Sequence, residues 1–129
     1  MTTTRTQVCI IGSGPSGLLL GQLLQTVGID NVIVDRVDEA YILGRVRAGV
    51  LETGTCSLLE QVGAADKMRA AGLVHTGFGF AFGGATHHVD LKSLTGGKSV
   101  MVYGQTELTR DLFDKRRATN SQRIGSNVG

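Results

Sequence analysis

A chain of 129 residues with a formal net charge of +2 is one domain at most, with room for a modest core. So small a charge is no electrostatic footprint for nucleic acid or an anionic membrane surface; no apolar stretch approaches the ~18 residues of a membrane span, and the polar first six residues do not read as a secretory signal. Cys9 and Cys56 are too few for a disulfide framework and lack metal-ligand spacing, so the expectation is a soluble cytoplasmic protein.

The first structured segment is the most informative. Val8 to Ile11 is an apolar run that meets Gly12-Ser13-Gly14-Pro15-Ser16-Gly17. Leu18, Leu19, Leu20, Leu23, Leu24 and Val27 follow at helical spacing, with Gly28 as the helix stop. A second apolar run, Val32 to Val34, ends in Asp35. Strand, glycine loop, helix, strand and acid in this order make the dinucleotide-binding βαβ fingerprint. Each part has a physical task. Gly12 permits the tight turn, Gly14 allows a pyrophosphate to approach the backbone, and Gly17 lets the helix pack closely. Pro15 suits the first helical position, where its missing N–H is no loss. The helix N-terminus then faces the phosphates, and Asp35 is placed to bind a ribose hydroxyl. An acid at that position repels a 2′-phosphate, so this site suits FAD or NAD and not NADP.

The remaining pattern reads in chain order. Asp38 to Leu43 is short and ambiguous, and Gly44 to Gly49 is a loop carrying Arg45 and Arg47. Leu51 to Val62 reads as a helix and Ala64 to Ala71 as a second one, closed by Gly72. Val74 to Phe82 alternates like a strand, with Phe78, Phe80 and Phe82 on one face read as core. Gly83-Gly84 signals a hairpin, with His87 to Leu91 as the returning strand. Gly96-Gly97 is another turn, Ser99 to Tyr103 a short strand, and Gln105 to Lys115 a helix. Cys9 is expected to be inert core. His87 and His88, adjacent on a strand, point to opposite faces and are read, with His75, as surface or packing residues. Lys115-Arg116-Arg117 reads as a solvated helix end. From Arg116 to Gly129 apolar periodicity vanishes, and residues 116–129 are expected to be a disordered tail.

Several segments together carry a resemblance. They are the glycine loop continued through Leu18-Leu19-Leu20-Gly21-Gln22-Leu23-Leu24, then Gly28-Ile29-Asp30-Asn31-Val32-Ile33 and Leu43-Gly44-Arg45-Val46-Arg47-Ala48-Gly49-Val50-Leu51-Glu52. Gly72-Leu73-Val74-His75 and Val102-Tyr103-Gly104-Gln105-Thr106-Glu107 complete the set. From about Thr6 to about Asp114 the chain resembles the N-terminal part of the 4-hydroxybenzoate 3-monooxygenase family, the class A flavoprotein aromatic hydroxylases. The resemblance implies an α/β, Rossmann-like FAD-binding βαβ fold with a small β-hairpin insertion and an incomplete sheet. It implies that residues 5–115 are the N-terminal part of a FAD-binding domain.

In that family FAD carries the oxygen chemistry, NADPH supplies a hydride, and 4-hydroxybenzoate becomes 3,4-dihydroxybenzoate. The resemblance implies that the glycine loop with Ser16 holds the FAD pyrophosphate, that Asp35, followed by Arg36, takes the adenosine ribose, and that Arg45 and Arg47 contact FAD beside the NADPH path. Two guanidiniums one residue apart on a glycine-flanked loop can fork onto phosphate oxygens. Gln105 matches a glutamine on the flavin side. The segment Arg36 to Tyr41 matches the helix that selects the coenzyme; its two acids leave both NADPH and NADH as donors. The family is much longer than this chain and commonly homodimeric, so the chain reads as an inactive fragment of a parent that takes a 4-hydroxybenzoate-type acid, with no catalytic residue of its own. Two other readings are an NAD-dependent Rossmann dehydrogenase fragment and an inert truncated nucleotide-binding module.

Overall fold

The computed structural model describes residues 3–119 and the backbone of Arg123–Gly125. Strand β1 (Val8–Ile11) leads into helix α1 (Pro15–Thr26), and β2 (Asn31–Asp35) returns parallel to β1 with Val8 opposite Asn31 and Ile11 opposite Val34. The turn leaves β1 through Gly12 at φ 114°, a backbone conformation that only glycine adopts without strain. Pro15 opens α1 as its first residue, and Gly28 follows its end with φ 74°. A methyl group at Gly17 would overlap the Gly12 carbonyl, so α1 lies directly against the turn that precedes it.

The ambiguous segment after β2 is a short helix, α2 (Glu39–Leu43), because Asp38 caps it: its Oδ1 accepts from the Tyr41 N–H at 2.8 Å. The long helix expected from Leu51 is corrected at its start. Val50–Glu52 is strand β3, and only from Thr53 does helix α3 (Thr53–Gln61) begin. The reason is tertiary: β3 pairs antiparallel with β7 (Val100–Val102), and Leu51 enters the core from that strand. Helix α4 (Asp66–Ala71) follows, then β4 (Leu73–His75), which pairs with the other edge of β7.

Strands β5 (Gly77–Phe82) and β6 (Ala85–Asp90) form an isolated hairpin, turned by Gly83 and Gly84 at φ 59° and 73°. Here the expected aromatic core is overturned. Phe78, Phe80 and Phe82 are 43%, 51% and 63% exposed. The hairpin pairs only with itself among the described residues and has no layer packed on either face, so alternation buries nothing. The rings cover one another instead: Phe78 meets Phe80 edge to face at 5.0 Å, and Phe82 stacks on His87 at 4.0 Å. The return strand ends at Asp90, not Leu91, because Asp90 caps helix α5 (Leu91–Leu94) by accepting from the Ser93 N–H and hydroxyl.

Helix α6 (Gln105–Ala118) closes the core over α1. Ile10, Leu18, Ile33, Leu51, Leu59, Met68, Leu108, Leu112 and Phe113 are its main buried side chains. The boundary expected at Arg116 falls inside this helix, and Arg116 is not solvated: it is 2% exposed. Its guanidinium donates to Asn31 Oδ1 at 3.0 Å and to the Asn31 carbonyl at 3.1 Å, tying α6 to the start of β2. Of the remaining tail, Arg123–Gly125 is strand β8, parallel to β2; residues 120–122 and 126–129 lie outside those described. Cys9 is also corrected. It is exposed, as Ile11 is, because the outward face of β1 carries no helix among the described residues. The three sheets order β1-β2-β8, β3-β7-β4 and β5-β6, an open α/β arrangement in which β1 is an edge. No helix among the described residues is long and apolar enough to cross a membrane.

Replacing Arg116 with methionine keeps the stem volume but leaves the buried Asn31 oxygens short of donors. We expect a loss of about 2 kcal/mol in stability, measured as a lower urea midpoint at unchanged slope; an unchanged midpoint would show that the Arg116–Asn31 tie holds nothing.

Candidate functional site

A cavity of about 290 Å³ opens at the C-terminal ends of β1 and β2, the edge at which parallel α/β sheets bind ligands. Four separate stretches of chain wall it. The glycine loop contributes Gly14 and Pro15, the end of β2 contributes Asp35 and Arg36, and Arg45, Arg47 and Gln105 form the far side. Seven of the ten residues singled out from sequence therefore meet around one space. Gly12 and Gly17 do not line it; they are the backbone scaffold beneath it. Ser16, on the first turn of α1, is exposed and does not line it either.

The loop and the acid are joined by a residue that the motif treats as variable. Ser13 is fully buried, and both its N–H and its hydroxyl donate to Asp35 Oδ2, at 2.7 and 2.8 Å. The Val37 N–H donates to Asp35 Oδ1 at 3.1 Å. Burial by itself raises the Asp35 carboxyl, but the Ser13 hydrogen bonds, with those from the Val37 and Arg36 N–H groups, outweigh it and hold the pKa below the ordinary carboxylate value. Asp35 is thus held ionised, with its orientation fixed, at the rim of the cavity. Thr106 and Thr109 were also not anticipated. They share the cavity-facing side of α6 with Gln105, and the i, i+1, i+4 spacing is the signal that finds them.

The cavity also carries three cations, one beside Asp35 and two on the far side. Arg36, Arg45 and Arg47 form no ion pair among the described residues, whereas Arg69, Arg110 and Arg117 each do. The Arg45 guanidinium lies 5.8 Å from the centroid of the Tyr41 ring. Helix α1 points its N-terminus at the same space, and no side chain caps it. The two acids near the coenzyme-selecting segment are engaged locally: Asp38 caps α2, and Glu39 accepts from Arg117 at 2.7 Å. Three guanidiniums, an open helix N-terminus, an oriented carboxylate and a carboxamide can together hold a phosphorylated ligand that also presents hydroxyl groups.

The loop bearing the arginines is itself held in place. The Tyr103 N–H donates to the Gly49 carbonyl at 3.0 Å, and a methyl group at Gly49 would overlap the Tyr103 carbonyl. The Thr106 hydroxyl donates to the Arg45 carbonyl at 3.4 Å.

Residues 5–127 match the protein family described as FAD binding domain. The chain is 50% identical over 116 residues to a p-hydroxybenzoate hydroxylase of Acinetobacter baylyi, covering 90% of this chain and 29% of that protein. It is 32% identical over 119 residues to a 6-methylpretetramide 4-monooxygenase of Streptomyces rimosus, covering 88% of this chain and 27% of that one. Among solved structures, p-nitrophenol 4-monooxygenase from Pseudomonas putida superposes with a TM-score of 0.80 over 98% of this chain and 33% of that chain. At 21% identity that likeness speaks for the fold. The chain spans less than a third of the length of these curated relatives.

The Asp35 geometry has a pH consequence. A carboxyl held below its unfolded pKa of about 3.9 adds stability that is complete above that pH and is lost as pH falls through the lower folded value. Ser13→Ala removes the hydroxyl bond and brings the folded pKa back toward the unfolded one. We expect acid unfolding, followed by circular dichroism, to begin at a higher pH in the variant than in the parent chain.

Proposed function

We infer the function of this chain from the premise that it belongs to the FAD binding domain family: it is the FAD-binding portion of a flavin-dependent aromatic monooxygenase. The observation that carries the reading is the convergence of Asp35, the Arg45–Arg47 loop and Gln105 on the glycine-loop cavity. The donor set fits FAD. The open N-terminus of α1 and the glycine loop Gly12–Gly17 take the pyrophosphate, and Arg45 and Arg47 add charge-assisted hydrogen bonds to phosphate oxygens. Asp35, held ionised by Ser13, accepts from a hydroxyl of the adenosine ribose, with Arg36 beside it. Gln105 faces the flavin side.

For the whole protein we propose hydroxylation of 4-hydroxybenzoate to 3,4-dihydroxybenzoate with O2, NADPH or NADH supplying the hydride. The 50% identity to a p-hydroxybenzoate hydroxylase supports this substrate. Bound FAD supplies the redox and oxygen chemistry; the residues described here bind and orient it. None of them is placed as a catalytic acid or base, so the chain by itself is proposed to bind FAD without turnover.

Titration of the purified chain with FAD, followed by flavin fluorescence, should show saturable binding, with none for NAD in the same buffer. Binding of NAD alone would instead favour a dehydrogenase fragment, and binding of neither by a folded chain an inert module.

Removing one phosphate-directed guanidinium forfeits a charge-assisted hydrogen bond worth about 1.5–3 kcal/mol. Arg45→Ala and Arg47→Ala should each weaken FAD at least roughly tenfold in the same titration, and the loss should shrink as salt is raised.

A further inference from the structure

Beside the arginine loop, Tyr103 is a core residue that does not line the cavity, and its one polar side-chain partner among the described residues is Asp111. Tyr103 is 7% exposed, and its hydroxyl donates to Asp111 Oδ2 at 2.6 Å. Asp111, on the second turn of α6, is itself 7% exposed. Its other oxygen accepts no hydrogen bond among the described residues and faces the Lys67 ammonium at 3.5 Å. A buried carboxylate of this kind is costly unless a donor is fixed upon it. Burial, reinforced by the hydrogen bond to Asp111, pushes the Tyr103 hydroxyl far above its ordinary range, so it stays a protonated donor.

The backbone of the same tyrosine touches the site. Its N–H donates to the Gly49 carbonyl, its own carbonyl packs on Gly49, and the next two residues are Gly104, the N-cap of α6, and Gln105, its first helical residue. Rotation or slippage of Tyr103 therefore moves both the arginine loop and Gln105.

We propose that Tyr103 and Asp111 are positioning residues, a buried hydroxyl–carboxylate latch that sets the spacing of Arg45, Arg47 and Gln105 across the cavity. The proposal rests on reading that cavity as the FAD site, and it adds what keeps the far wall in register with the glycine loop. Neither side chain touches the ligand; each acts through the backbone of residues 49 and 103–105.

Tyr103→Phe keeps the ring and removes only the hydroxyl. In samples shown to be folded by circular dichroism, it should weaken FAD about tenfold. Asp111→Asn keeps an acceptor oxygen and should stay within about threefold of the parent chain, whereas Asp111→Leu should match Tyr103→Phe. A second readout needs no ligand. Limited trypsin digestion after Arg45 and Arg47, relative to cleavage after Arg69 in α4, should accelerate severalfold in Tyr103→Phe and Asp111→Leu but not in Asp111→Asn. A folded Tyr103→Phe chain with parental FAD affinity and a parental cleavage ratio would overturn the latch and leave a purely structural pair. If the parent chain itself fails to bind FAD, the reading of the site falls, and the cleavage ratio alone decides the latch.

Discussion

The contact between Gly17 and the carbonyl of Gly12 is the constraint on which the rest of the architecture depends. It admits no side chain, so α1 starts directly against the turn that leaves β1. That placement buries Ser13 and aims it at the end of β2, where it grips Asp35. It also leaves the N-terminus of α1 facing the cavity without a capping side chain. One backbone approach thus couples the first strand, the crossover helix and the acid at the second strand. A substituent there would have to displace backbone, which is why the position tolerates no compromise by side-chain repacking.

Electrostatics separates the site from the rest of the surface. Three other arginines are paired locally: Arg69 with Glu60, Arg110 with Glu107, and Arg117 with Glu39 and Asp114. Such exposed pairs add little stability individually. They do keep cationic surface from competing for anions. The three arginines at the cavity have no such partner among the described residues, and the nearby acids are spent on a helix cap and on Arg117. Three guanidiniums without an ion pair among the described residues thus converge on one cavity. Asp35 is the one carboxylate among the residues that line the cavity.

Apolar surface is distributed unevenly too. Ile11 is 88% exposed at the outer face of β1, Leu73 and Val74 are more than half exposed on β4, and the hairpin carries three uncovered phenylalanines. Uncovered apolar side chains beside an unpaired strand edge are an association hazard in dilute solution. The buried core, by contrast, is compact and helix-covered, centred on Leu18, Ile33, Leu59, Leu112 and Phe113.

The sequence by itself determined the local grammar. Gly12 through Asp35 was readable because each residue is demanded by a local rule: positive φ at a turn, a proline at a helix start, an apolar strand, an acid at its end. Gly83-Gly84 was legible for the same reason, and the arginines and Gln105 were legible only through their resemblance to a family. Tertiary structure decided what no local rule contains. Val50–Glu52 became a strand because β7 lies beside it, and Phe78, Phe80 and Phe82 stayed exposed because no layer covers the hairpin. Arg116, read as a solvated helix end, became the most buried charge among the described residues because α6 lies along α1 within reach of Asn31. Ser13 and the Tyr103–Asp111 pair were invisible as site determinants, since their partners lie 22 and 8 residues away and only folding brings them within hydrogen-bond distance. Periodicity reports which side of a segment is apolar; whether anything arrives to cover that side depends on the rest of the chain.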